Sequence, residues 1–180
     1  MVARAPLRET EHGTVAAGEG WFVVNARETS WRTAERRGAH TDWEGDHRFD
    51  QLGIHLYVLQ PGDPMGMYHW EADQEDFLVV AGQGLLVIEG EERPLEQWDF
   101  VHCPPRTQHV IVGAGDGPCV IVACGARVWE TREGWGGYRV NEVAARHGAS
   151  VERDTTEPQE AYARLPKRQP TSYSAGWLPG

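Results

Sequence analysis

Between Gly53 and Arg127 short apolar runs follow one another closely: IHLYVLQ, MYHWEA, DFLVVAG, GLLVIEG, EERPLEQ, DFVHC, HVIVG and CVIVACGARV. Gly and Pro break them at PGDP, GQG, CPP and GAGDGP, the residues that tight turns require. GQG and the GEE after Ile88 have the form of tight strand connections. No helical period intervenes, and parallel crossovers need about a dozen or more residues, so the strands must pair antiparallel. The pattern predicts an all-β barrel over residues 53–127.

The flanks read differently. Residues 1–52 form an arm in which only Trp21–Asn25 is apolar enough for a short strand; the rest of the stretch from Gly20 to Asp50 is polar with scattered Trp. Residues 128–180 form a C-terminal helical extension packed on the barrel. Asn141 is its first N-cap, Glu142 favours the first turn, and Gly148 follows Arg146 and His147 as a stop. A second short helix is predicted from Pro158 to Arg164, capped by Thr156. The end, LPKRQPTSYSAGWLPG, holds too many turn formers for regular structure, though Tyr173, Trp177 and Leu178 offer apolar anchors.

Composition narrows the function. A chain of 180 residues can bury one substantial core. A net charge of -10 argues against nucleic-acid or anionic-membrane partners, which need a basic face. No apolar run approaches the roughly 20 residues of a spanning helix, and MVARAPLRETEHG lacks a secretory core, so a cytoplasmic protein is expected. Cys103, Cys119 and Cys124 are an odd number without a CxxC pair, which suggests neither a disulfide framework nor a zinc knuckle.

The chemistry lies in two stretches. PGDPMGMYHWEADQEDFLVVAGQG gives His69-x-Glu71-x3-Glu75-x6-Gly82, and WDFVHCPPRTQHVIVG carries Asp99, Pro104 and His109. Side chains two apart on a strand share a face, so His69 and Glu71 project together. Glu75 and His109 can close the cluster from neighbouring strands. Glu75 is the inward carboxylate of the run EADQED, in preference to Asp73 and Asp76, by its distance to Gly82. Imidazole nitrogen with carboxylate oxygen suits a divalent transition metal; the oxygen ligands favour Fe2+ or Mn2+, with Zn2+ or Ni2+ possible occupants. His55 and His102 are weaker candidates, because alternation does not show which face they occupy.

These residues resemble the cupin superfamily, small jelly-roll barrels of antiparallel strands (double-stranded β-helices). Its first motif runs from Gly through His-x-His and Glu to Gly; Gly62, His69, Glu71, Glu75 and Gly82 take those places, with Glu71 where a second His is usual. In the second motif Pro104 and His109 match, while Trp98, Arg106 and Gly113 replace Gly, Gly and Asn. The resemblance implies a jelly-roll barrel with metal ligands His69, Glu71, Glu75 and His109, Glu71 serving as ligand or general base. It implies a metal-dependent enzyme, dioxygenase-like, acting on a small oxygen-rich molecule chelated by the metal. A metal-dependent isomerase or cyclase, or a non-catalytic module that binds a small ligand or metal, stands beside it. A homodimer is expected, since jelly rolls have open sheet edges and the Trp-rich segment from Trp21 to Trp43 suits an arm packed on a neighbour.

Overall fold

The computed structural model describes residues 1–128 and 134–180. Its strands are β1 (Leu7–Thr10), β2 (Gly13–Ala16), β3 (Trp31–Thr33), β4 (Ala39–Thr41), β5 (Leu52–Leu59), β6 (His69–Glu71) and β7 (Glu75–Ala81). There follow β8 (Gln83–Ile88), β9 (Glu91–Leu95), β10 (Phe100–Cys103), β11 (His109–Ala114), β12 (Cys119–Ala126) and β13 (Gly136–Tyr138). After helices α1 (Glu142–Arg146) and α2 (Pro158–Ala161) comes a last strand, β14 (Gln169–Thr171).

The strands build a jelly roll of two antiparallel sheets, with β1 and β2 as a separate hairpin. One sheet has seven strands in the order β10-β7-β12-β5-β4-β3-β14; the other has five, β13-β6-β11-β8-β9. Alternation puts Phe77, Val79, Ile111, Ile121 and Leu86 between the sheets, each at most 4% exposed. At about 25 cal/mol per Å² of apolar surface removed from water, such side chains supply the main drive to close the barrel. Turn chemistry sets the register. Glu89 and Gly90 both have positive φ (49° and 81°), the two-residue hairpin turn anticipated after Ile88.

The second-motif positions where the family carries glycine have a backbone reason. Trp98 and Arg106 both sit in the left-handed region (φ 78° and 74°), where a side chain costs roughly 1–2 kcal/mol. Gly113 has the opposite explanation: a Cβ there would lie 2.2 Å from the Gln60 carbonyl oxygen, so the close strand crossing leaves room for hydrogen only.

The flanks depart from the expectations in several places. Trp21–Asn25 is not a strand; Trp21 makes one isolated bridge to Arg4, and Val23 is 78% exposed. Its apolar residues find no sheet face to cover. The polar stretch that follows supplies β3 and β4 to the seven-stranded sheet. Trp31 of β3 is fully buried, its Nε1 donating to the Ala26 carbonyl and its ring against Tyr173 and Trp177. The anchors of the tail are therefore real, but the tail is also regular: β14 pairs with β3. Helix α1 is capped by the Asn141 side chain, which accepts from the Ala144 amide. Helix α2 ends at Ala161 instead of Arg164 and starts from Glu157, not Thr156, without a side-chain cap. Neither helix is long and apolar enough to cross a membrane.

Candidate metal centre

His69 and His109 face each other in register on the neighbouring strands β6 and β11, their ring centroids 5.0 Å apart. Glu75 approaches from β7 of the opposite sheet, so the group straddles the barrel interior. Its Oε2 lies 3.4 Å from Nε2 of His109 and 3.8 Å from Nε2 of His69. These three residues form a set whose ligand atoms lie within 4.8 Å of one another. Glu71 stands outside that set, with Oε1 3.7 Å from Nε2 of His69.

The backbone fixes both imidazoles. Nδ1 of His69 donates to the Met67 carbonyl at 2.8 Å, and Nδ1 of His109 to the Thr107 carbonyl at 3.0 Å. In the neutral rings this puts the proton on Nδ1 and turns the Nε2 lone pairs inward, as metal-ligating histidines require. Nε2 of His109 is wholly buried and has no hydrogen-bond partner among the described residues. A buried polar atom left so costs about 1–3 kcal/mol, and a cation among the three groups would satisfy it. The residues fit a divalent metal.

Electrostatics treats the two histidines oppositely. Burial pushes His69 down, but the carboxylates of Glu71 and Glu75 outweigh it and lift the ring to about 9. Burial, with the charge of His69 beside it, drives His109 down to about 3. Burial raises Glu75 to about 7 against the pull of His69. Without metal, protonation is therefore favoured on His69 and disfavoured on His109.

Packing holds the group on two sides. Tyr138 of β13 stacks on His69 (5.8 Å, 28°), and Phe77 packs against His109 at 5.3 Å. On the open side lies a cavity of about 240 Å³ lined by Glu71, Glu75, His55, Tyr57, Met65 and Arg127, among others. Arg127 ties its rim to the N-terminal segment through Glu44 (2.8 Å) and the Phe49 carbonyl (2.7 Å). A larger surface groove of about 660 Å³, beside α2, contains none of the three grouped residues.

Other candidates separate cleanly. His102 points outward and pairs with Asp76 at 2.7 Å. Cys103 is buried in the core, its thiol pushed up to about 12 by burial and then by Glu75, which makes it a packing residue and not a nucleophile. Asp99 accepts from the Glu96 amide in the turn before β10. Tyr57 and Tyr138 were invisible as site residues in the sequence. Tyr138 belongs to a strand of two glycines and a tyrosine, Gly136–Tyr138, which carries no apolar alternation to find.

The chain is similar over part of its length to known proteins. The family model for the cupin domain matches residues 55–125. An uncharacterized protein of Methanocaldococcus jannaschii, MJ1618, is 24% identical over 67 residues, covering 37% of this chain and 54% of that protein. This chain thus spans about half the length of the curated relative it matches. A sugar phosphate isomerase of the cupin superfamily from Silicibacter pomeroyi is 25% identical, with TM-score 0.45 over 51% of this chain and 60% of that one. The polyketide cyclase RemF from Streptomyces resistomycificus is 12% identical, with TM-score 0.52 over 59% of this chain and 79% of its own, a likeness of fold. Motif, barrel and family match agree: residues 55–125 of this chain form a cupin domain.

Proposed function

We propose that His69, Glu75 and His109 hold a divalent transition metal, with Fe2+ or Mn2+ favoured, and that the protein is a metal-dependent enzyme acting on a small oxygen-rich molecule. The observation that carries this reading is the buried Nε2 of His109, without a hydrogen-bond partner among the described residues and beside His69 and Glu75. A bound dication supplies Lewis-acid polarisation of a chelated oxygen. Glu71 lines the cavity and is set apart from the three-residue group, which suits a proton acceptor better than a fourth ligand. Tyr138 covers one face of His69 and fixes its ring. Proton transfer next to a polarised oxygen is the chemistry of isomerases and cyclases.

The test is elemental analysis of the purified protein, followed by proton–deuterium exchange in small hydroxy-carbonyl compounds. Glu71→Gln should keep the metal and slow exchange by about 10²–10⁴, the usual contribution of a positioned base. Loss of the metal in that variant would make Glu71 a ligand instead. A two-His, one-carboxylate set also suits an Fe2+ dioxygenase; oxygen consumption by the iron-loaded protein with diols or enols favours that reading. Full metal content with no turnover of either kind would leave a binding module.

Free cysteines at positions 103, 119 and 124 suit the reducing cytoplasm. The homodimer is proposed on the open edge of β10, where Phe100 is 64% exposed, because Trp31 is spent on its own chain. Light scattering at 20.1 kDa would exclude it.

A further inference from the structure

The cavity is hollow for a reason legible in the register. In the seven-stranded sheet Glu75 of β7 lies opposite Gly125 of β12, which lies opposite Gly53 of β5; two residues along, the row is Phe77, Ala123 and His55. Residues two apart share a face, so Gly53, His55 and Tyr57 project with Glu75 into the barrel. Between them β12 offers only Ala123 and Gly125. Strands β7 and β5 are two spacings apart, roughly 10 Å. The cavity therefore has Glu71 and Glu75 at one end and His55 with Tyr57 at the other.

His55 is held as firmly as the candidate metal ligands. Its Nδ1 donates to the Thr41 carbonyl at 2.9 Å. Nδ1 of His40 donates to the same oxygen at 3.2 Å, and its ring stands edge-on to His55 at 5.1 Å and 79°. Burial, then the charge of Arg168, holds His40 well below the usual imidazole range, so it stays an uncharged buttress. In the neutral His55 ring Nε2 is an acceptor, and none of the described residues donates to it.

Resting on the metal reading above, we propose that Nε2 of His55 accepts a hydrogen bond from the far end of the substrate. The ligand class is then a small polyhydroxylated acid or ketone, with a chelating oxygen pair at one end and a hydroxyl donor at the other. Its size follows from the cavity: at about 30 Å³ per water-sized group, 240 Å³ takes about eight such groups. Small residues at 123 and 125 leave the path between the two ends clear.

The experiment uses Mn2+-loaded full-length protein, calorimetry, and two probes that differ in one hydroxyl, threonate and 4-deoxythreonate. Wild type should bind threonate about fivefold to tenfold more tightly, the worth of one hydrogen bond. His55→Ala should keep its metal and its affinity for 4-deoxythreonate but bind the two acids equally. His55→Gln, whose amide oxygen can accept, should recover part of the preference and guards against a misfolded alanine variant. A preference unchanged in His55→Ala, or no preference in wild type, overturns the proposal. Wild type that holds no Mn2+, or holds it and binds neither acid, overturns the chelate reading and this proposal with it.

Discussion

The two sheets that wall the barrel each carry an imidazole pair, and the walls were assembled differently. His69 and His109 lie on adjacent strands of the five-stranded sheet and next to carboxylates. His40 and His55 lie on β4 and β5 of the other sheet, lean on a single carbonyl, and face arginine and tyrosine. Both pairs commit Nδ1 to backbone and leave Nε2 for something else. The near wall sets two imidazoles beside carboxylates, the far wall two beside arginine and tyrosine. On the reading proposed above, one kind of side chain serves two ends of a ligand, and its neighbours decide which.

The largest effect that separates the walls is loss of metal. His69→Ala or His109→Ala should abolish stoichiometric binding by elemental analysis and erase the gap in melting temperature between metal-loaded and metal-free protein at pH 7. Full metal content in both variants would refute the assignment of the near wall.

Trp31→Ala attacks the opposite side. Trp31, itself fully buried, joins β3 in one cluster to the partly buried Tyr173 and Trp177 of the tail, so denaturant unfolding should show a loss of about 3–5 kcal/mol. Metal stoichiometry should be unchanged, because no residue of that cluster belongs to the three-residue group. Metal loss in the folded variant would mean that the walls are not independent.

Acidity gives a smaller, graded effect. The metal-free site keeps a proton on His69, lifted to about 9, and binding must expel it. Metal affinity should therefore rise about tenfold per pH unit from 7 towards 9, followed by calorimetry in buffers of different ionisation heat. The stability of the metal-free protein runs the other way. A raised imidazole pKa stabilises fully below the unfolded value near ~6.5, and that contribution drains away as pH rises through 9. His109, depressed to about 3, contributes stability that is lost as pH falls from ~6.5 towards 3. A pH-independent affinity over 7–9 would show that His69 is not the proton's seat.

The smallest effect should come from Trp98→Gly. Trp98 is 68% exposed with φ 78°, so glycine relieves backbone strain and sacrifices little packing. A gain of about 1 kcal/mol is expected, with neither wall altered; destabilisation would mean the indole is covered in solution.

The residues of the near wall were named from the sequence because their spacing fits a motif: strand alternation pairs His69 with Glu71, and the resemblance to a known barrel supplies Glu75 from β7 of the opposite sheet and His109 after a proline turn. Alternation places Glu71 beside His69, where the structure has it, but does not place it relative to the three-residue group. The far wall was not legible. His55 and His40 acquire meaning only through the pairing of β4 with β5 and of β5 with β12. Strands β3, β4 and β14 are short and polar because each lies towards an edge of the sheet, and so they lack the apolar alternation that betrays a strand. Conversely, Trp21–Asn25 had the propensity but, beyond the one bridge from Trp21 to Arg4, no partner strand among the described residues.

The pairing of β14 with β3 also bears on how the chain acquires its shape. Loop closure between segments so distant in sequence comes late, since its entropic penalty is met only when other contacts have shortened the loop. During synthesis the cupin strands emerge well before Gln169–Thr171, and until those residues arrive Trp31 and the edge of β3 stay uncovered. Nascent chains halted in that interval would carry a formed barrel and a sticky sheet edge together, the combination that recruits chaperones or seeds aggregates.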